Sequence, residues 1–201
     1  DIRFCPRWAD ALNARARSIR WSKASTWARA PGAPAALCPT AIMRASSGGE
    51  DSSSWVPVAD PAPRDLPAGV AKLDAIPAEG RFDAILLDAP CSATGIFRRH
   101  PDVLHRVRPR VVAELAEGQK AMLARAADWL KPGGTLVYSV CSLEPEENEQ
   151  QVEWLLKTIP GFAVAPPSDF PLRLDRRGFL HVLPQEHGFD GAFAARLRRI
   201  R

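Results

Sequence analysis

Two cysteines stand directly after apolar stretches of the chain, and their positions make them the first candidates for chemistry. Cys91 follows the run 82–88, which ends in an aspartate, and Cys141 follows the run 135–140. If both runs are parallel strands, the two thiols lie at the carboxyl ends of these strands, where open α/β sheets bind their ligands. A thiolate there can serve as a covalent nucleophile. Alternatively, both are core thiols, because free cysteine is among the most buried residue types.

The elements that would position these cysteines alternate between strand and helix. Residues 82–88 and 135–141 are short apolar runs typical of buried strands. Between them, residues 111–130 are predicted to form one helix that ends at the proline and glycines of 131–134. Its apolar residues recur at the spacing of a single helical face: Val112, Leu115, Ala116, Met122, Leu123, Ala126, Trp129 and Leu130.

The elements after Cys141 continue the same pattern. Pro145 predicts the first turn of a further helix, and the acidic residues beside it suit the positive end of the helix dipole. Residues 192–197 predict a last strand. This alternation indicates an α/β fold with a parallel sheet flanked by helices.

Composition limits the classes of protein that are plausible. The chain of 201 residues has 46% hydrophobic and 25% charged residues, which is ordinary for a globular protein. No run reaches the roughly 18 apolar residues of a membrane span, and no secretory leader is recognised, although the sequence begins at Asp1 rather than Met. The net charge of +4 and the pI of about 9.1 favour an acidic partner such as nucleic acid.

The cysteine count argues against metal and disulfide chemistry. The remaining cysteines, Cys5 and Cys38, form no CxxC pair with each other or with the first two, and no nearby histidines give zinc-ligand spacing. We therefore expect no metal site and interpret the four residues as reduced thiols of a cytoplasmic protein. A thiol redox protein is disfavoured for the same reason.

The sequence divides into two unequal parts near residue 75. Residues 76–201 carry the alternating pattern, whereas residues 1–75 are rich in Arg, Ala, Pro, Ser and Trp. We interpret residues 1–75 as an aberrant or poorly ordered segment. The sequence around its prolines and at 46–54 is typical of loops.

Several motifs in residues 80–200 resemble the Sun (RsmB-type) family of RNA 5-methylcytosine methyltransferases. These motifs occur in the family's order along about three fifths of the chain. They are Asp88-Ala89-Pro90-Cys91-Ser92-Ala93-Thr94-Gly95, Arg98-Arg99-His100-Pro101-Asp102, Lys131-Pro132-Gly133-Gly134-Thr135-Leu136-Val137-Tyr138, Cys141-Ser142, Pro145-Glu146-Glu147-Asn148-Glu149, and the closing residues Leu183-Pro184, Gly188, Asp190-Gly191 and Phe193. The resemblance implies a Rossmann-like class I methyltransferase that uses S-adenosylmethionine and acts on ribosomal RNA. We expect no membrane or metal partner and a monomeric state.

The resemblance also implies roles for individual residues. Cys141 would be the nucleophile that adds to carbon 6 of cytosine, and Cys91 would assist release of the methylated product. Asp88 would hold the base at its N3 and amino edge and would also contact the cofactor. The other implied cofactor contacts are Asp74 and Pro90, and the implied RNA contacts are Arg98, Arg99 and His100. The alternatives are that Asp88 is an ordinary capping residue after its strand, which the adjoining Pro90-Cys91 disfavours, and that the basic cluster is a solvated loop.

The chain departs from the family in its first part. The family's glycine-rich cofactor turn has only a faint counterpart in residues 30–34, so the amino-terminal part of the fold is expected to be incomplete. A reading-frame slip in the gene would explain the Arg-, Ala-, Pro-, Ser- and Trp-rich sequence of residues 20–70. Two alternatives to an active RNA methyltransferase follow: an inactive remnant that retains at most RNA binding, and a DNA cytosine methyltransferase whose nucleophile would be Cys91.

Overall fold

The computed structural model describes residues 41–45 and 82–200, and the expectations for the rest of residues 1–81, Asp74 included, lie outside these ranges. The described strands are β1 (Ala41–Ala45), β2 (Phe82–Asp88), β3 (Leu130–Val140), β4 (Phe162–Val164), β5 (Leu180–Val182) and β6 (Ala192–Arg199). The described α-helices are α1 (Val103–Arg106), α2 (Pro109–Trp129), α3 (Glu149–Thr158) and α4 (Pro184–His187). A short 3-10 turn covers Thr94–Ile96.

The strands form one sheet in the order β1-β2-β3-β6-β4, with β5 also paired to β6. The α/β fold is confirmed, and β2 and β3 are parallel as predicted, with Leu86 opposite Val137 and Asp88 opposite Ser139. The sequence predicts a mostly parallel sheet, however, and the pairings of β1 with β2 and of β6 with β3, β4 and β5 are antiparallel. The described part of the sheet is therefore mixed.

The connections explain this difference. A parallel pair needs a long crossover, and the helix α2 supplies one between β2 and β3. The strands β5 and β6 are joined only by residues 183–191, which hold one turn of helix, so the chain reverses and pairs antiparallel. The strand β1 was missed by the sequence analysis, because its surroundings carry no alternating strand–helix pattern.

The predicted helical face of α2 is confirmed. All seven of its predicted apolar positions are buried, and Leu130, the eighth, is the first residue of β3. The helix ends at Trp129, and the residues 131–134 form an irregular stretch of β3, because Phe82 pairs with Leu130 and Ala84 already pairs with Thr135. The glycines here thus serve a bulge in the strand as well as the end of the helix.

Alternate residues of the central strands bury two different faces of the sheet. Leu87 and Tyr138 belong to the larger core, which α2 and α3 cover, and rings of Phe82 and Trp129 meet edge to face within it. Leu86 and Val137 point to the opposite face and pack in a smaller cluster with Leu180, Val182 and Ala194. The strict alternation fixes the register of β2 against β3 and with it the place where both strands end.

Two local expectations are corrected. The helix expected at Pro145 begins at Glu149, and residues 145–148 form a turn because Glu147 and Asn148 bond to neighbouring loops instead of continuing the helix. At the carboxyl terminus, the sequence pattern of arginines at 196, 198, 199 and 201 predicts a solvated end with possible RNA contact. Arg199 instead donates to the carbonyl oxygens of Ala127 and Leu130, each at 2.7 Å, at the junction between α2 and β3.

Candidate active site

The two cysteines meet at the carboxyl edge of the sheet. Cys91 lies three residues beyond the end of β2, Cys141 directly follows β3, and neither is part of a disulfide. Their sulfur atoms are 3.4 Å apart, which is within hydrogen-bonding range for sulfur. Cys91 is fully buried and Cys141 is partly exposed. A substrate atom approaching this edge from solvent therefore meets Cys141 first.

Asp88 is the last residue of β2 and lies at the same edge. It pairs in register with Ser139 of β3, and the Ser139 hydroxyl donates to Asp88 Oδ1 at 3.1 Å. The backbone pairing continues one residue further, since the Ala89 amide donates to the Ser139 carbonyl at 3.0 Å. The parallel register thus brings a partly exposed carboxylate and two thiols to one end of adjacent strands.

The loop after Cys91 is held by backbone contacts to two other segments. Ala93 has a left-handed conformation with φ of 61°, which turns the chain into the 3-10 turn. The Gly95 amide then donates to the Cys141 carbonyl at 2.9 Å, and the Gly191 amide donates to the Gly95 carbonyl at 2.8 Å. Gly95 is therefore the point where the Cys91 loop contacts both the Cys141 loop and the segment before β6.

A buried carboxylate connects the residues that follow the two cysteines. Glu147 Oε1 accepts hydrogen bonds from the Ser92 amide at 2.9 Å and from Gln119 Nε2 at 3.1 Å. Its Oε2 accepts from the hydroxyls of Ser92 and Ser142, both at 2.5 Å. Glu147 has no exposed surface. One side chain thus bonds to the immediate neighbours of Cys91 and Cys141.

Burial raises the pKa of Glu147, and the hydrogen bonds from Ser142, Ser92 and Gln119 oppose that rise. The backbone of Glu147 is fixed as well, because the Tyr138 hydroxyl donates to its carbonyl oxygen at 2.7 Å. Burial also raises the pKa of Tyr138 well above its usual value, so this hydroxyl keeps its proton and remains a donor.

Gln119 links the same network to the chain before Cys91. Its Nε2 donates to the Pro90 carbonyl at 2.8 Å as well as to Glu147. Both Gln119 and Pro90 are buried. Pro90, an expected cofactor contact, therefore has its carbonyl oxygen bonded to α2.

The predicted basic cluster does not act as one unit. Arg98 is exposed, whereas Arg99 forms an ion pair with Asp190, which precedes Gly191. His100 is partly buried, and its carbonyl oxygen accepts the Val103 amide at the start of α1. Arg99 thus joins the Cys91 loop to the closing motif while its side chain stays 47% exposed, and Arg98 is exposed as well.

Sequence reasoning missed three parts of this arrangement: the buried side chains of Glu147 and Gln119, and the contact between Gly95 and Gly191. Gln119 carried a usable signal, because it occupies an apolar-face position of α2, three residues before Met122 and four after Leu115. A polar residue there predicts a buried hydrogen-bonded partner. Glu147 is predicted from the sequence only as a helix-start residue that sets the Cys141 loop. Nothing in the sequence indicates its burial, since a glutamate near a helix start is ordinary.

Within residues 41–45 and 82–200, no group of three or more His, Cys, Asp or Glu side chains has the arrangement of a metal site. In the same ranges, no helix is both long and apolar enough to cross a lipid bilayer.

Comparison with known proteins identifies the family. The 16S rRNA methyltransferase RsmB/F family matches residues 66–198. The chain is 45% identical over 126 residues to ribosomal RNA small subunit methyltransferase F of Cronobacter sakazakii, and 47% identical over 123 residues to that of Shigella flexneri. Each alignment covers 59% of this chain and 26% of the relative, so the chain spans about a quarter of the length of these relatives.

A solved structure supports the same assignment. The crystal structure of NSun6 from Pyrococcus horikoshii, determined with the S-adenosylmethionine analogue SFG, superposes with a TM-score of 0.56 at 30% identity. The superposition covers 66% of this chain and 33% of the other. The family match extends over more than half of the chain and includes both cysteine loops, and the chain therefore belongs to the 16S rRNA methyltransferase RsmB/F family.

Proposed function

We propose that this chain carries the catalytic part of an S-adenosylmethionine-dependent methyltransferase that modifies carbon 5 of cytosine in ribosomal RNA through a covalent cysteine adduct. The observation that carries the proposal is the contact between the Cys91 and Cys141 sulfurs, 3.4 Å apart, beside Asp88 at the end of two parallel strands. The relatives' names supply the substrate class, and the two thiols supply the chemistry.

The reaction needs a nucleophile because carbon 5 of cytosine is weakly nucleophilic. Addition of the Cys141 thiolate to carbon 6 makes carbon 5 enamine-like, and this division into two easier steps is covalent catalysis. Cys141 suits this role because it is the more exposed of the two thiols. Cys91 then assists removal of the carbon 5 proton and expulsion of Cys141, and contact between the sulfurs lets both serve one base.

Asp88 completes the proposed site. Its carboxyl group, at the same strand end, would bond the N3 and amino edge of the cytosine and favour protonation of the ring during attack. The bound cofactor supplies the methyl group. Asp88, Pro90 and Asp74 are the proposed contacts to it. A partly exposed carboxylate at the carboxyl end of a parallel strand fits such a ligand, since this is where open sheets bind cofactors.

The domain division belongs to the same proposal. We assign the catalytic part to residues 76–201 and leave residues 1–75 as a separate segment, while the family match begins at residue 66. The proposal includes an RNA partner, action in the cytoplasm and a monomeric state.

Titration of S-adenosylmethionine into the purified chain by calorimetry, followed by transfer of a labelled methyl group to small-subunit ribosomal RNA, tests the proposal. We expect binding with a dissociation constant on the order of micromolar, about −8 kcal/mol, and label at carbon 5 of cytosine. A folded chain that neither binds the cofactor nor transfers the label would refute the proposal and favour the inactive remnant.

Arg98 and Arg99 are expected to respond differently to substitution. Arg98→Ala removes an exposed charge that can neutralise a phosphate, so RNA affinity falls and the slope of log affinity against log salt decreases by about one. Arg99→Ala breaks the ion pair with Asp190. It is expected to lower the free energy of unfolding and to change the salt slope less than Arg98→Ala does. Filter binding of RNA over a series of salt concentrations measures the slopes, and unfolding in urea measures the stability. Equal slopes for the wild type and Arg98→Ala would contradict this assignment.

A further inference from the structure

The buried carboxylate of Glu147 has a consequence for the two thiols. Four hydrogen bonds end on it, and all four donors belong to Ser92, Ser142 or Gln119. Ser92 directly follows Cys91 and Ser142 directly follows Cys141. Any movement of one cysteine loop relative to the other must therefore stretch a bond to Glu147.

The hydrogen bonds to Glu147 suit a carboxylate, because each of its two oxygens accepts from two donors. A backbone amide and a glutamine amino group can only donate, so Oε1 must accept from both Ser92 and Gln119. The two serine hydroxyls complete the acceptor capacity of Oε2. In the described part of the chain no cation contributes to the environment of Glu147, so hydrogen bonds alone offset the cost of burying its charge.

Further hydrogen bonds hold the Cys91 and Cys141 loops in fixed positions relative to each other. Ser142 Oγ also accepts the Glu144 amide at 3.0 Å, and Asn148 Nδ2 donates to the Ser142 carbonyl at 3.2 Å. On the other side, Thr94 Oγ1 accepts the Leu143 amide at 2.8 Å and so bridges the two loops directly. Glu147 is the member of this network that contacts both residues adjacent to the cysteines.

We infer that Glu147 is a positioning residue that sets the distance between the Cys91 and Cys141 sulfurs. The inference deepens the proposed function and rests on it for its catalytic meaning, since both thiols must reach one base. The effect of Glu147 on the distance between the sulfurs does not depend on the proposed reaction. Glu147 touches no reacting atom, and it acts through Ser92 and Ser142.

The proximity of the two thiols can be tested without cofactor or RNA, through the equilibrium constant of disulfide formation between them. Oxidised glutathione converts the two thiols to a disulfide and is itself reduced to two molecules of glutathione, and the equilibrium constant gives the effective concentration of one thiol at the other. The 201-residue chain with Cys5 and Cys38 changed to Ser isolates this pair. Thiols held in contact give a high effective concentration, because their encounter entropy has already been lost.

We expect Glu147→Ala to lower this effective concentration by about tenfold or more, which corresponds to about 30 mV in the potential of the pair. Glu147→Gln is expected to stay within about threefold of the parent, because the amide oxygen can accept from Ser92 N and Gln119 while the amino group donates to both serine hydroxyls. Rescue by this isosteric variant separates positioning from a need for the negative charge.

Two control variants exclude indirect effects. Glu146→Ala removes an exposed neighbouring glutamate, and Leu155→Ala destabilises the core at α3 away from the loops. Both are expected to leave the effective concentration within about twofold of the parent, since neither touches the serines. If Leu155→Ala lowered it as much as Glu147→Ala, loss of stability would explain the result and the inference would be wrong.

If Glu147→Ala does not fold, Ser142→Ala and the double variant with Ser92→Ala carry the test, because each removes only a hydroxyl. We expect a decrease of about threefold for the single variant and about tenfold for the double one. Unchanged or higher values in these folded variants would overturn the inference. This readout requires no S-adenosylmethionine, so its failure is distinguishable from a failure of cofactor binding or methyl transfer.

Discussion

Cys141→Ser is expected to abolish methyl transfer to RNA, whereas Cys91→Ser is expected to accumulate a covalent protein–RNA adduct. A serine hydroxyl at 141 has almost the shape of the thiol but is a far weaker nucleophile at neutral pH, so we expect a rate loss of at least about 1000-fold. With serine at 91 the Cys141 adduct still forms but its release is slow. Methyl incorporation and a denaturing gel that resolves RNA-bound protein measure the two effects.

The opposite pattern has a specific meaning. If Cys91→Ser abolished the adduct and Cys141→Ser retained it, Cys91 would be the nucleophile, as in a DNA cytosine methyltransferase. Cys38→Ser, a change elsewhere in the chain, is the thiol control and is expected to leave both signals unchanged. The circular dichroism spectrum of each variant establishes that it is folded before its activity is compared.

The exposures of the two thiols support this order of events. Cys91 is fully buried against the core and Cys141 is partly exposed. A nucleophile must reach the ring carbon of an incoming base, whereas a residue that acts on the adduct meets a base already held in the site. The proposed division of labour therefore agrees with burial, an observation independent of the family resemblance.

The central elements of the fold follow from sequence patterns. The spacing of apolar residues in α2 predicts its buried face, and the runs ending at Asp88 and Val140 predict two parallel strands. Both signals are strong because they reflect burial over many residues. The antiparallel pairings of β6 were not predictable in the same way, since a short apolar strand has the same appearance in either direction.

The candidate site was predictable from the sequence only for residues at or just beyond the end of a predicted strand. Cys91 and Cys141 stand at strand ends, and the parallel register brings those ends together. Glu147 and Ser92, which are in contact, lie 55 residues apart in the sequence, and Arg99 and its partner Asp190 lie 91 residues apart. No local periodicity encodes such pairs, so they are visible only in three dimensions.

Gly95→Ala is expected to be the most destabilising single change at the site. A Cβ atom at Gly95 would lie 2.6 Å from the Gly191 carbonyl carbon and 2.8 Å from the Cys141 carbonyl oxygen. Both neighbours are backbone atoms of residues whose backbones hydrogen-bond to Gly95, so neither can rotate away. We expect unfolding in urea to reveal a loss of about 3 kcal/mol, the upper end for overpacking, and methyl transfer to fall because the cysteine loops separate.

Gly133→Ala is the matched control for this effect. A Cβ atom at Gly133 would meet nothing within 4 Å, and the only cost is its φ of +78°, in a conformation that side chains rarely adopt. That strain is worth about 1 kcal/mol. Gly95 has no such strain, so a larger loss at Gly95 than at Gly133 isolates the steric contact between the loops. A loss at Gly95 equal to or smaller than that at Gly133 would contradict the close approach of Gly95 to Gly191 and Cys141, on which the alignment of the two thiols depends.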